Sequence, residues 1–357
     1  MVESRSIAVH GVTATVACSN RQILDWFEFD FRHFIAPPPG KADFSLTVEI
    51  KAAPFELMPA MEEVMHARYF ACFDHGPTRY INYQNRVLLV YDYAKQEGTL
   101  FCDDVTKAYE KAYLTVLSRL GEFLDKRGLH RVHALGISYA SSACLFLLPE
   151  GGGKSTLGIS LLKLPEVKLF SEDTPFINRN GEVLPFPFRL GICDGTSVQS
   201  IPLGFKREII TQYGVRKTLI DPAYFTGQIE TEKRVNRFLF CGKWVTNQAS
   251  RIVKTSKLTA LGYLIRDCFF GLGLPQVIEL FLTQGLGNLS KKGLIAFSRM
   301  FACLGLLRRS ECYQLLLSKN PDENAKLLAS FLDSRVTVDH LHRQPSIIPS
   351  PADSEAR

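Results

Sequence analysis

No C-x-x-C pair occurs among the nine cysteines, and their odd count leaves no closed set of disulfides. That pattern favours a reducing compartment over a disulfide framework. Cys144 and Cys303 stand in apolar runs, as core thiols do. No stretch reaches the roughly 18–20 apolar residues of a membrane-spanning helix. The most apolar late stretch, Gly293 to Leu307, is broken by Ser298 and Arg299. It is expected as a buried helix, with peripheral membrane contact as the lesser alternative. The opening MVESRSIAVHG has no hydrophobic signal core, so a cytoplasmic location is expected. Charge of one sign is also scarce. A net +6 over 357 residues is too small and dispersed for a nucleic-acid partner, and no RNP-like motif, zinc-finger spacing or aromatic–basic stripe is present. No internal repeat is found.

What is present belongs to a globular protein: 46% hydrophobic and 22% charged residues, in a chain long enough for two domains. The first hundred residues read mainly as β-structure. Phe44 to Ile50 alternates apolar and polar, and Val87–Tyr91 and Thr99–Cys102 flank a turn placed at Glu97-Gly98. A helix is expected from about Val105 to Arg127, capped by Asp103 or Asp104 and ended by Gly128, with Tyr109, Tyr113, Val116, Leu117, Leu120 and Leu124 on one face. Val132 to Ile137 reads as a strand, Ser256 to Leu307 as mostly helical, Cys312 to Leu317 as a strand, and Pro321 as the first residue of a last helix. The expected organisation is a β-rich domain over 1–127 ending in the long helix, a second domain over 128–343, and a disordered tail over 344–357.

The most telling residues are LPEGGGKSTL, 148–157, between the apolar run Cys144–Leu148 and a helical segment from Thr156 to Lys163. Strand, glycine turn, lysine, hydroxyl and helix is how a phosphate-binding loop is built. Glycines turn backbone N–H groups toward an anion, and the helix start adds partial positive charge. Glu150, Gly151, Gly152, Gly153, Lys154, Ser155 and Thr156 are therefore the expected nucleotide contacts, with Lys154 on the phosphates and Ser155 on Mg²⁺. Leu148 stands where the full motif has its first glycine.

The apolar pattern Val167-Leu169-Phe170 ends in Glu172-Asp173, where a metal-binding acid belongs beside such a loop. On an extended strand the two carboxylates face opposite ways, one toward a metal and one toward an acceptor. His133, on the strand before the loop, is the third candidate, and His130 shares its expected face. Each feature has an ordinary counterpart: a surface turn, an acidic turn, a structural histidine. Arg189, Lys206, Arg216 and Lys217 are candidate phosphate or substrate contacts, with Arg216-Lys217 preferred.

Taken in order, Leu129-His130-Arg131-Val132-His133-Ala134, GGGKSTL and Phe170-Ser171-Glu172-Asp173 resemble the C-terminal domain of HPr kinase/phosphorylase and HPr-kinase-related proteins. The resemblance extends over roughly 128–335. It implies an α/β nucleotide-binding domain, within an α+β whole, of a fold shared with phosphoenolpyruvate carboxykinases. It implies ATP and Mg²⁺ as cofactors, with Ser155 and Asp173 as metal contacts. It also implies catalytic roles for Asp173, Glu172, His133 and Lys154 in phosphoryl transfer to a hydroxyl of a peptide, protein or small metabolite. Three departures accompany it. Glu172 replaces the usual first Asp, the family's later glycine-and-arginine signature is missing, and residues 1–127 do not match the classical enzyme's N-terminal domain. The alternative is a nucleotide-binding sensor or scaffold without turnover, and self-association into a homo-oligomer is compatible with either.

Overall fold

The computed structural model describes residues 2–59, 61–193, 198–210, 215–245, 248–271, 280 and 286–343. The expected disordered tail from Gln344 onward lies outside them. Among the described residues are six α-helices and large mixed sheets, an α/β architecture.

The first sheet runs β3-β1-β2-β4-β9-β8-β7-β6-β5. Its strands are β1 (Glu3–Val9), β2 (Val12–Cys18), β3 (Ile35–Ala36), β4 (Phe44–Ile50), β5 (Glu63–Ala67), β6 (Phe70–His75), β7 (Thr78–Tyr83), β8 (Val87–Asp92) and β9 (Glu97–Cys102). Alternation puts Phe44, Leu46 and Val48 of β4 into the core. Helices α1 (Arg21–Asp30) and α2 (Val105–Lys126) cover the sheet. Asp104 caps α2 by accepting the Lys107 N–H at 3.0 Å, and Gly128, at φ +75°, follows its end. The β8–β9 turn falls at residues 93–96, not at Glu97-Gly98. Asp92 accepts the Ala94 and Lys95 N–H groups and so starts the turn early. Gly98 pairs with Tyr91 inside β9, and the Tyr91 ring lies over it, where a Cβ would come within 2.9 Å.

The second sheet contains β10 (His130–Arg131), β14 (Phe176–Ile177), β15 (Glu182–Leu184), β19 (Arg234–Trp244), β12 (Ser142–Leu147), β11 (Leu135–Tyr139) and β13 (Val167–Ser171) in that spatial order. On the far side of β19, β21 (Glu311–Leu317) pairs with it in parallel and with β20 (Arg251–Lys254) antiparallel. Strand β12 is central and runs parallel to β19. Its side chains alternate between two cores. Cys144, Phe146 and Leu148 join one with α3 (Lys154–Leu161) and α6 (Pro321–Arg343). Ala143, Leu145 and Leu147 join the other with α4 (Lys257–Leu264) and α5 (Leu286–Arg309). A strand buried on both faces reads as a continuous apolar run, which is how Cys144–Leu148 reads.

Two expectations need correction. The strand placed at 132–137 begins at Leu135, leaving Val132, His133 and Ala134 in a short connection. There the His133 N–H bonds to the Asp267 carbonyl at 2.9 Å and the Ala134 N–H to the Asp173 carbonyl at 3.0 Å, so neither is free for the ladder. The helix over 293–307 is buried on one face only: Ala302, Cys303 and Leu306 are inside, whereas Phe297 and Phe301 are 69% and 61% exposed.

A small third sheet, β16 (Leu190–Ile192), β18 (Arg216–Ile220) and β17 (Lys206–Ile210), adjoins both larger ones. Around it lies a buried ionic cluster. Asp30, at the end of α1, receives Arg189 Nε and Arg207 Nη2, each at 3.0 Å, and the Tyr109 hydroxyl of α2. Arg189 stacks on Tyr113 at 4.6 Å and Arg207 on Trp26 at 5.0 Å. The cluster fastens the front sheet's helices to strands from the second half of the chain. It also gives Arg189 a structural place instead of a phosphate contact. Lys206 likewise turns inward, onto the Val198 carbonyl at 3.1 Å.

Candidate active site

Strand β12 delivers the chain into the glycine loop, and α3 begins at Lys154. Gly151 and Gly153 have φ of +69° and +82°, a conformation that side-chain-bearing residues rarely adopt. Gly152 is needed for a different reason, since a Cβ there would sit 2.7 Å from the Pro149 carbonyl. Glu150 is exposed on the turn. Leu148 is fully buried, and its side chain lies against Gly242 of β19, where a Cβ would come within 2.1 Å of it. The position calls for a core side chain. The first-turn N–H groups of α3, those of Lys154, Ser155 and Thr156 among them, have no acceptor within the helix.

Lys154 is buried, with Nζ 3.0 Å from the Leu148 carbonyl, 3.3 Å from the Pro149 carbonyl and 3.7 Å from Asp173 Oδ1. Ser155 donates its hydroxyl proton to Glu172 Oε1 in a short hydrogen bond. His133 Nε2 lies 3.1 Å from Asp173 Oδ1. Five of the residues singled out by sequence, His133, Lys154, Ser155, Glu172 and Asp173, therefore converge.

Their places differ from the strand alternation expected from sequence. Glu172 and Asp173 sit in a bend just past the end of β13, so strand alternation does not separate them. Both turn toward the loop. The partner of Ser155 is Glu172, while Asp173 faces His133 and Lys154. Among the described residues no three His, Cys, Asp or Glu side chains form a metal cage.

The two carboxyls are pushed in opposite directions. Burial, aided by the charge of Asp173, raises Glu172 to about 7, against an opposing backbone hydrogen bond from Gly191 and the Ser155 hydroxyl. Burial also acts to raise Asp173, but the His133 hydrogen bond and the charges of His133, Lys154 and Lys217 outweigh it and hold this carboxyl below its usual range. At neutral pH the site holds one firm carboxylate and one carboxyl poised to lose or keep its proton.

Of the preferred basic pair, Lys217 contributes to the field at Asp173. Arg216 instead points to Glu208 at 3.8 Å and is largely exposed. Neighbours on a strand face opposite ways, so only one of the two belongs to the site. His130 does not share the place of His133. Its Nδ1 is 2.7 Å from Asp125 and its Nε2 2.8 Å from Ser298, a structural bridge from α2 to α5.

Two further participants had no sequence signal. Trp244, at the end of β19, donates its indole N–H to the Gly151 carbonyl at 3.3 Å, and its ring lies over Gly153. The parallel pairing of β12 and β19 brings it there across ninety-odd residues of chain. Gly191 of β16 is the second, through its backbone bond to Glu172. No protein-family model matches this chain, and no curated protein matches it.

Proposed function

We propose that the chain is an ATP-dependent kinase that transfers a phosphoryl group to a hydroxyl of a peptide, protein or small metabolite. The observation that carries the reading is the convergence of Lys154, Ser155, Glu172, Asp173 and His133 at a glycine loop that opens a helix. The first-turn N–H groups of α3 and Lys154 would hold the phosphates. Hydroxyl and carboxylate oxygens are hard ligands of the kind Mg²⁺ takes, and the paired Ser155 and Glu172 are the residues that would hold it, together with phosphate oxygens and water. Mg²⁺, when bound, would supply neutralisation of the charge on the transferred group. Asp173, held as a carboxylate beside His133, orients the acceptor hydroxyl and accepts its proton. Lys217 adds positive charge on the acceptor side.

The test is single-turnover transfer from γ-labelled ATP, scored across a panel of peptides, amino acids and metabolites. Label in an acceptor supports the kinase reading. Tight Mg-ATP binding with no transfer to any acceptor replaces it with a nucleotide sensor.

Lys154→Ala is expected to weaken Mg-ATP binding about 10- to 100-fold, the loss of a charge-assisted contact worth roughly 1.5–3 kcal/mol, and to lower the melting temperature, because the buried ammonium also serves the Leu148 and Pro149 carbonyls and Asp173. Calorimetric titration beside a thermal scan checks both halves. Equal affinity in the two proteins would remove Lys154 from the ligand.

The raised Glu172 gives a pH dependence with a defined sign. Between its ordinary value of 4.5 and about 7, the folded protein keeps a proton that the unfolded chain has lost. The stability Glu172 contributes is therefore full below the unfolded value and falls as pH rises through this window. Asp173 acts in a separate window, losing its contribution as pH falls below its ordinary 3.8. Glu172→Gln should flatten the decline in melting temperature between about pH 5 and about pH 8. In the parent, Mg-nucleotide binding should strengthen over the upper part of that range as Glu172 ionises. An unchanged melting profile in Glu172→Gln would show that the residue titrates normally.

A further inference from the structure

Helix α5 holds two lysines, three arginines and no acidic residue. Its rotation is set from inside. Arg299 reaches Asp125 at 2.6 Å, Ser298 bonds His130 at 2.8 Å, and Gly305 lets the Arg179 carbonyl press against the helix where a Cβ would not fit. These contacts turn a different face to solvent. Leu294, Phe297, Phe301 and Leu304, at a 3-4-3 spacing, are 71%, 69%, 61% and 45% exposed. They border an open groove of about 700 Å³ whose other lining includes Arg179, Asn180, Arg308 and Arg309 and no acidic side chain. At the C-terminal end of the helix, Lys257 donates to the Arg308 carbonyl at 3.2 Å, which brings the 79%-exposed Leu258 alongside.

We propose that this face of α5 docks the protein onto an anionic bilayer surface, with Phe297 and Phe301 entering below the headgroups and the arginines lying at phosphate depth. An apolar stripe rimmed by arginine is the composition of an interfacial helix. Charge decides between occupants. Pairing this face with a second copy would set cations against cations, since Arg179, Arg308 and Arg309 border the groove on every copy. An anionic lipid surface is complementary to these three. Size points the same way. A stripe of four side chains is a small fraction of a stable protein–protein interface, whereas attachment to a bilayer grows with each inserted apolar group and each nearby cation. The helix lies on the surface and does not cross it: no helix among the described residues is long and apolar enough to span a membrane.

The experiment is flotation of the full chain with vesicles of pure phosphatidylcholine and with vesicles containing about one-third phosphatidylserine. The protein should float with the anionic vesicles, stay behind with the neutral ones, and be released by high salt. Phe297→Ser with Phe301→Ser should reduce anionic partitioning about tenfold or more, because both side chains contribute through insertion. Both positions face solvent, so circular dichroism should show an unchanged fold. Arg308→Gln with Arg309→Gln should weaken binding and its salt dependence together. Absence of flotation, equal partitioning to neutral vesicles, or full binding by the phenylalanine double variant would each overturn the proposal. So would a dimer in sedimentation equilibrium that the same double variant dissociates, which would assign the face to a second copy.

Discussion

Asp173→Asn is expected to lower phosphoryl transfer by about 100- to 10,000-fold, the span of a lost general base, with Mg-ATP affinity changed only a few-fold. The amide keeps the shape of the carboxylate but carries no charge and accepts no proton from an acceptor hydroxyl. Affinity should survive because Ser155 turns to Glu172, not to Asp173. The same variant removes the negative charge that helps to raise Glu172. The pH dependence of Mg-nucleotide binding should therefore move to lower pH. Single-turnover transfer and a calorimetric pH series read the two effects separately. Undiminished transfer in Asp173→Asn would exclude the residue from the mechanism, and an unmoved pH series would deny its coupling to Glu172.

Asp30→Ala should produce the largest loss of stability, about 3–5 kcal/mol, the cost of removing one partner from a buried charge network. Asp30 is fully buried and takes two guanidinium groups and the Tyr109 hydroxyl. Two nitrogens of the cluster, Arg189 Nη1 and Arg207 Nε, already have no hydrogen-bond partner among the described residues. Without Asp30, two arginines would remain among aromatic rings without the carboxylate they share. Denaturant unfolding of the full chain measures this. A loss below about 1 kcal/mol would mean that water reaches the cluster and screens it. Because Arg189 leads directly into β16, whose Gly191 bonds Glu172, the folded fraction of Asp30→Ala should also bind Mg-nucleotide less well.

The physical division between what was legible and what was not runs through particular residues. Helix α2 was legible because its start, face and stop are local: Asp104 caps it, Tyr109 to Leu124 line one side, and Gly128 follows its end. Strand β4 was legible by its two-residue period, and the glycine loop by three residues that turn the backbone before a helix. Local chemistry of this kind depends on neighbours a few positions apart, and a sequence displays those directly. The half-exposed state of α5 was not legible. Its apolar content reads as burial, and only the anchors Arg299 to Asp125 and Ser298 to His130, more than 160 residues away in sequence, decide which side faces out. His133 and His130 looked equivalent three residues apart, yet one meets Asp173 and the other Asp125.

What the sequence by itself determined is therefore the inventory: the strand–glycine loop–helix unit, the acids at the end of β13, the long capped helix, and a mixed α/β class. The tertiary structure alone decided the assignments. It set Glu172, not Asp173, on Ser155, gave Leu148 a core role against Gly242, laid Trp244 over Gly153, and took Arg189 from the candidate site into the Asp30 cluster. Each of these depends on which strands lie side by side and on how bends past strand ends aim their side chains. Pairing between distant segments arises from packing of the whole chain, and no short stretch of residues encodes it.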